Sequence, residues 1–339
     1  MDPLSQGTVG AAFAQSAANK NNIFKIGIIG FIAGLAPDLD VLIQSSNDPI
    51  LSLEYHRQFS HSLVFIPIGS LIVALLIFPW VKKTMSFKLV YLVSFLGYAT
   101  HGLLDACTSY GTLLFWPFSY ERITWNNISI VDPIFTIPTL IFVICALMTK
   151  RKKFSFFAIG WILFYLIFGL VQYERTLSAA KDLASSRGHS AERLTLKPSF
   201  GNLILWKSIY KHEENFYVDA IRTVQSSHWC SGESTRAFSY KQHLPKLNRD
   251  SQQARDIERF RWFSQDYLGY QKEKKLVTDI RYSMLPNQIE AMWGLVIDET
   301  LDFEKHASWW TGRSLEPSEF DLFLEMLIGK GCSDNDKKI

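Results

Sequence analysis

The chain has 339 residues, enough for about two domains, and its charge divides it in two. Residues 1–173 carry 11 Lys/Arg and 8 Asp/Glu, whereas residues 174–339 carry 24 of each. The net charge of +3 therefore comes from the first part, where basic residues sit in short clusters between apolar runs. That is a pattern of membrane topology, and it argues against nucleic acid as a partner.

The first 19 residues lack the basic start and long apolar stretch of a cleavable signal peptide. Residues 3–19 are uncharged and rich in Gly and Ala, which allows close helix contact in a bundle; a surface helix or loose tail is the competing reading. Ile26–Ala36 is too short to cross a bilayer alone, at about 20 residues per crossing. Extended over 22–43 it crosses, with Asp38 and Asp40 near its far end. Leu63–Val81, Phe87–Ala106, Ile134–Thr149 and Phe154–Gln172 complete the apolar runs.

Loop charge then gives orientation. The turns at 82–88 and 150–153 hold seven basic residues, while 37–62 and 107–131 hold only Arg57 and Arg122. The positive-inside rule puts the two basic turns in the cytoplasm. Asp38, Asp40, His56, His61, His101, Asp105 and Asp132 then share the outer face, and the part after residue 173 is exported to it.

From about residue 174 the composition is that of an aqueous α+β domain. Glu174–Arg187 extends the last span as a helix, stopped by Gly188. Leu194–Lys197, Leu203–Tyr210 and Phe216–Thr223 read as strands, 224–250 as a long loop, and Gln252–Tyr267 as a helix. Strands near Lys275–Tyr282 and Ile289–Ile297 and a helix near Pro317–Leu327 follow. The four cysteines, Cys107, Cys145, Cys230 and Cys332, show no Cys-x-x-Cys spacing. A Cys230–Cys332 disulfide in an exported domain stays open.

Three clusters carry chemistry. His101 and Asp105 are four apart, on one helix face. His56 and His61 are five apart, about 140° on a continuous helix, so they share a ligand only if the chain turns between them; Ser60 or Ser62 is a suitable cap for such a turn. Asp38 and Asp40 follow Pro37, which favours an extended or turn conformation with both facing the same way. Imidazole and carboxylate together suit a divalent metal: zinc first, with manganese or iron as alternatives, as one or two ions. Arg57 is suited to an anionic substrate group or to a lipid headgroup. Asp132 either orients a histidine or caps the helix at Pro133. The five histidines beyond residue 173 show no ligand spacing.

With Met1-Asp2-Pro3-Leu4-Ser5-Gln6, the Gly-x-x-Pro-Asp-x-Asp stretch from Gly34 to Asp40, His56-Arg57-x-x-Ser60-His61-Ser62, His101-x-x-x-Asp105 before Tyr110-Gly111, and Val131-Asp132-Pro133, residues 1–175 resemble the YdjM-like family. That family comprises inner-membrane proteins assigned as metal-dependent hydrolases, some under control of the SOS repressor LexA. The resemblance implies a multi-pass protein of the bacterial inner membrane and a hydrolase. Many members carry His where this chain has Gln6, and an amide is a poorer metal ligand.

The expectation is therefore an α-helical multi-pass membrane domain over 1–173, with about four or five crossings, followed by an extracytoplasmic α+β domain over 174–339. Asp38, Asp40, His56, His61, His101 and Asp105 are the metal candidates. Asp40 or Asp105 is the expected proton acceptor, and Arg57 the expected anion holder for a membrane lipid or lipid-linked ester or phosphoester. The competing expectation is a non-enzymatic envelope protein with a structural metal site and a partner-binding exported domain.

Overall fold

The computed structural model describes residues 1–312 and 317–330, and the chain divides into two units. The first comprises residues 1–43, 55–171 and 200–203; the second comprises 44–54, 172–199 and the described residues from 204 on. The composition break near residue 173 falls inside one long helix.

In the first unit, Asp2 starts α1 (Pro3–Ser16) by accepting the Ser5 N–H at 3.0 Å, which satisfies a donor that the first turn leaves orphaned. Next come α2 (Ile23–Leu35) and a 3-10 turn over Ala36–Leu42, which takes the turn alternative for Asp38 and Asp40 but points their carboxylates at different nitrogens of His61. After α3 (Leu51–Tyr55) and 3-10 turns at Phe59–His61 and Leu63–Phe65, the apolar helices follow: α4 (Ile66–Val81), α5 (Phe87–Ala106), α6 (Pro133–Thr149) and α7 (Lys153–Ser186). Ser62 caps the second of those turns by accepting from Phe65 N, as the sequence predicts.

Small residues bring α1, α2 and α5 together. A methyl at Gly10 would meet the Gly30 carbonyl oxygen at 2.5 Å, and one at Gly97 would meet the same oxygen at 2.6 Å. This is the close backbone approach expected of glycine in membrane bundles. Around that seam Ile23, Ile26, Val90 and Val93 are buried, while Leu75, Leu76, Trp80, Met148, Phe164 and Ile167 are exposed. Apolar side chains turned outward suit hydrocarbon as solvent. Among the described residues three helical segments are long and apolar enough to cross a membrane, Leu63–Val81, Phe87–Ala106 and Lys153–Ser186, with Pro133–Thr149 a shorter apolar helix.

The second unit is sheet-rich and antiparallel. One sheet runs β1 (Glu192–Pro198), β2 (Leu205–His212), β3 (Asn215–Thr223), β4 (Ser227–Cys230), with β5 (Ser234–Arg236) also on β3. After α8 (Tyr240–His243) and α9 (Gln252–Phe263), the other sheet runs β6 (Leu268–Gln271), β7 (Leu276–Asp279), β8 (Trp293–Val296), β9 (Ser308–Thr311). Helix α10 (Pro317–Ile328) packs Phe323 and Met326 with Leu205, Ala220, Cys230 and Leu285. The expected 224–250 loop instead contains β4, β5 and α8, and β6 and β9 had no reading as strands. These pieces are three or four residues long, too short for periodicity, and pairing with a neighbour makes them strands. Cys332 lies outside the described residues.

Two polar features mark this unit. Arg259 on α9 grips Asp48 (3.0 and 2.9 Å) and Glu54 (2.6 and 2.8 Å), fastening segment 44–54. Lys197 and Lys207, directly opposite on β1 and β2, are both buried beside the buried Arg281–Asp279 pair.

Candidate metal centre

Three segments of the first unit converge. Helix α5 carries His101 and Asp105 one turn apart, the 3-10 turn at Phe59–His61 delivers His61, and the turn after α2 delivers Asp38 and Asp40. Glycine at 102 permits the approach, since a Cβ there would collide with the His61 carbonyl oxygen. His61 sits at the start of one apolar segment and Asp105 near the end of the next, so the cluster lies at one end of that hairpin.

His101 Nδ1 lies 2.6 Å from the Gly34 carbonyl oxygen, which can only accept. The proton is therefore on Nδ1 and Nε2 carries a lone pair. His61 Nδ1 lies 3.1 Å from Asp40 Oδ2; donation to that carboxylate likewise bares its Nε2. The two Nε2 atoms stand 2.9 Å apart, so two lone pairs face each other unless a cation or a proton lies between them.

Carboxylates close the cluster. Asp38 Oδ1 is 3.4 Å from His61 Nε2 and 3.3 Å from His101 Nε2; Asp105 Oδ2 is 3.2 and 3.5 Å from the same atoms. Oδ2 of Asp105 is fully buried without a hydrogen bond, although Arg57 Nε is 3.1 Å away: charges meet there, but donor geometry is lacking. Its Oδ1 contacts Gln6 Nε2 at 2.8 Å and the Met1 nitrogen. Burial by itself favours a neutral His61, but the carboxylates of Asp105, Asp38 and Asp40, which accept from its ring, outweigh it and push the imidazole up to about 10, so a proton fills the gap at Nε2 unless a cation takes its place. The surroundings of His61 thus favour a positive charge at this point.

These separations fit a metal. Bonds of about 2.0–2.1 Å to nitrogen and oxygen in a tetrahedral set imply ligand atoms about 3.3 Å apart, and the observed values run from 2.9 to 3.5 Å. Asp38, His61, His101 and Asp105 are thus one group able to hold an ion. Asp38 is a quarter exposed and the other three side chains are sealed, so access is from the Asp38 side.

Asp40 serves those residues from behind. It lies 2.7 Å from His56 Nδ1, and it accepts from Arg57 N at 3.0 Å and Ser60 Oγ at 2.7 Å besides meeting His61. His56 is therefore not beside the two facing histidine nitrogens; it is a partly exposed ring hydrogen-bonded to Asp40 and edge-on to Tyr110. Asp38, Asp40 and His56 also form a second group of potential donors. Arg57 is buried, with left-handed backbone (φ 63°); its guanidinium stacks on Tyr110 at 4.7 Å and donates to Thr108 Oγ1 at 3.1 Å. A non-glycine residue in that conformation persists where its surroundings over-determine it.

Asp132 caps α6 through Phe135 N at 3.2 Å and accepts from Tyr165 OH at 3.0 and 2.9 Å, with no histidine among these partners. Reasoning from residue type had no means of finding the Gly34 carbonyl, which sets the tautomer of His101, or Tyr98, which donates to the Ser60 carbonyl at 2.8 Å. In the second unit Asp48, Asp256 and His306 also come together, although His306 shows no ligand spacing in sequence. There Asp256 is occupied by His306, Arg259, Gln252 and the Ala307 N–H, and Arg259 already supplies the positive charge.

No curated protein and no solved structure matches the chain. A family model described as YdjM inner membrane protein matches residues 1–176, which contain every residue of the His/Asp cluster. Spanning more than half of the sequence, that match shows that the chain belongs to the YdjM inner membrane protein family.

Proposed function

We propose that the protein is a membrane-bound metal-dependent hydrolase whose ion is held by Asp38, His61, His101 and Asp105. The observation that carries this reading is the pair of facing Nε2 atoms 2.9 Å apart, with Asp38 Oδ1 and Asp105 Oδ2 each within 3.5 Å of both. A divalent ion would supply Lewis acidity toward water and toward the scissile ester or phosphoester. Asp40 holds His61 in the required tautomer, as carboxylates behind metal-binding histidines do. His56, hydrogen-bonded to Asp40 and partly exposed, would steady that carboxylate from the solvent side, and Asp40 or Asp105 would be the proton acceptor. Arg57 balances Asp105 and would be the group to meet an anionic part of the substrate. One ion is the simplest reading, because three of the contacts to Asp40 are hydrogen bonds within the chain.

Four or five crossings, with the site and the second unit on the outer face of the inner membrane, follow from the loop charges. The short turn carrying Asp38 and Asp40 also exposes Leu39, Val41 and Leu42, apolar groups that favour a membrane lipid or lipid-linked substrate over a fully aqueous one. The competing reading, a structural metal site in a non-enzymatic envelope protein with a partner-binding second unit, draws on the four converging donors, the number usual for a closed zinc site. The exposure of Asp38 weighs against it.

The test is metal content by elemental mass spectrometry on detergent-purified protein, wild type beside His61→Ala and His101→Ala, followed by hydrolysis assays on ester and phosphoester lipids. Stoichiometric metal lost in both variants, with metal-dependent turnover, supports the hydrolase. Asp105→Asn separates the readings: lost turnover in a folded, exported protein means catalysis, and lost folding means structure. Absence of metal after reconstitution with each ion ends both.

A further inference from the structure

The backbone of one residue, Arg57, joins two apolar lips. Its N–H donates to Asp40 Oδ2 at 3.0 Å, in the Ala36–Leu42 turn, and its carbonyl accepts from Leu113 N at 2.9 Å. With both backbone groups used, the left-handed conformation of Arg57 is fixed from two sides. Leu113 lies in a hairpin closed by an antiparallel bridge between Thr112 and Ile123, with bonds of 3.1 and 2.9 Å. At its base the buried Arg122 donates from Nη2 to the Gly111 carbonyl at 2.8 Å. The hairpin is also stitched to the segment that delivers His61: Leu63 N donates to the Leu114 carbonyl at 3.0 Å, and Trp116 packs on Phe59 with ring centroids 6.2 Å apart.

Both lips carry apolar side chains that nothing in the chain covers. Phe118 on the hairpin is 84% exposed, with Phe115 and Tyr120 open beside it in sequence; in the other lip Leu42 is 71% exposed and Leu39, next to Asp38, is open as well. Glu121 and Arg122 are the only charged residues from 112 to 123. Apolar exposure of this kind marks an interaction surface, and the course of the chain says with what. Leu63 begins one membrane-spanning candidate and Ala106 ends the next. A hairpin just after Ala106 and hydrogen-bonded at Leu63 stands at a bilayer boundary, where aromatic side chains partition at the headgroup level.

We propose that the 112–123 hairpin and the Ala36–Leu42 turn are two lips immersed in the headgroup region of the membrane leaflet at the site's end, so that the Asp38 opening meets lipid. Their partner is the bilayer itself. That a lipid arriving there is hydrolysed rests on the reading of the preceding subsection; the immersion of the lips does not.

The experiment uses full-length protein in nanodiscs of phosphatidylethanolamine and phosphatidylglycerol. Spin labels are placed by Phe118→Cys and Leu42→Cys, with Lys274→Cys, an exposed position of the second unit, for comparison. All three are made in a Cys145→Ala background, because Cys145 is a free and partly exposed thiol. Collisions with oxygen, which concentrates in hydrocarbon, should exceed those with a water-soluble nickel chelate at both lips, and the order should reverse at Lys274. In wild type, a phospholipid carrying a diazirine on its acyl chain should crosslink to peptides covering 38–43 and 112–123, as well as to the exposed 75–80 stretch of α4. This second measurement decides the matter if a cysteine variant does not fold. Nickel-dominated collisions at either lip mean water, and few collisions with either reagent mean a covering protein; each overturns the proposal, as does crosslinking of α4 without the lips. None of these readouts requires metal or turnover, so aqueous lips leave the metal centre standing, and a protein without metal or activity leaves the lips standing.

Discussion

Each unit buries a knot of ionisable groups, and the two knots carry opposite excesses. In the helical unit Asp38, Asp40 and Asp105 crowd two histidines whose Nε2 atoms face one another. In the sheet unit Lys197, Lys207 and Arg281 crowd around Asp279. Burying charge is expensive in either place, but the remedies differ. Excess amine can discard a proton: burial pushes Lys207 down to about 7, partly opposed by Asp279 and Glu233, and burial with Arg281 nearby drives Lys197 well below its ordinary range. Excess carboxylate and imidazole lone pairs are met by taking up a proton, as the raised His61 shows, or by a cation in its place. One knot is therefore read as a strained core and the other as a site.

The largest contrast comes from removing a central group from each. His101→Ala should drop metal content from about one ion per chain to background, measured by elemental mass spectrometry, while Asp279→Asn should leave metal untouched. Asp279→Asn instead strands the Arg281 guanidinium, bonded to it at 2.7 and 2.8 Å, and should cost about 3–5 kcal/mol of stability, read by denaturant unfolding in detergent. Equal metal loss in both variants would collapse the distinction.

Protonation sharpens the comparison. Lys207 holds its proton less tightly folded, at about 7, than unfolded, near the ordinary lysine value of 10.5. The unfolded state therefore binds more protons between those pH values, and this residue's penalty, greatest below pH 7, fades as pH rises toward 10.5. The unfolding free energy of wild type should rise over that window relative to Lys207→Met, by on the order of a few kcal/mol. A parallel pH profile for the two proteins would mean that Lys207 stays charged or finds water.

Asp40→Asn tests support for the ligands without removing one. It should weaken metal binding about 10–100-fold, by chelator competition, with little change in unfolding. The smallest effect is expected at the exposed Lys274–Glu290 pair, 3.4 Å apart: Lys274→Ala should shift stability by less than about 1 kcal/mol.

Much of the helical unit was legible beforehand. Phe87–Ala106 appears with the expected ends, because a run of apolar residues between polar turns has few alternatives in lipid. The neighbourhood of Asp38, His61, His101 and Asp105 was legible as well: helical spacing joined one pair, and loop charge put the rest at the same end. The partition between residues touching the ion position and residues behind it was not. Asp40 and Asp38 are the same residue type two positions apart, and only the 3-10 turn points one at the histidine Nε2 atoms and the other at Nδ1. The 224–250 stretch failed for the opposite reason, since strands of three or four residues carry almost no pattern of their own.

Local chemistry in the sequence determined that this chain has an apolar helical part, a polar sheet-bearing part and three His/Asp clusters, because hydropathy and helical spacing act over a few neighbouring residues. Tertiary structure alone decided that the Gly34 carbonyl accepts from His101 Nδ1, that Gln6 reaches Asp105, and that Lys197 and Lys207 are buried opposite each other. Those outcomes depend on contacts between residues ten to a hundred positions apart, and no local pattern encodes which atoms will meet once glycine seams and strand registers have set the distances.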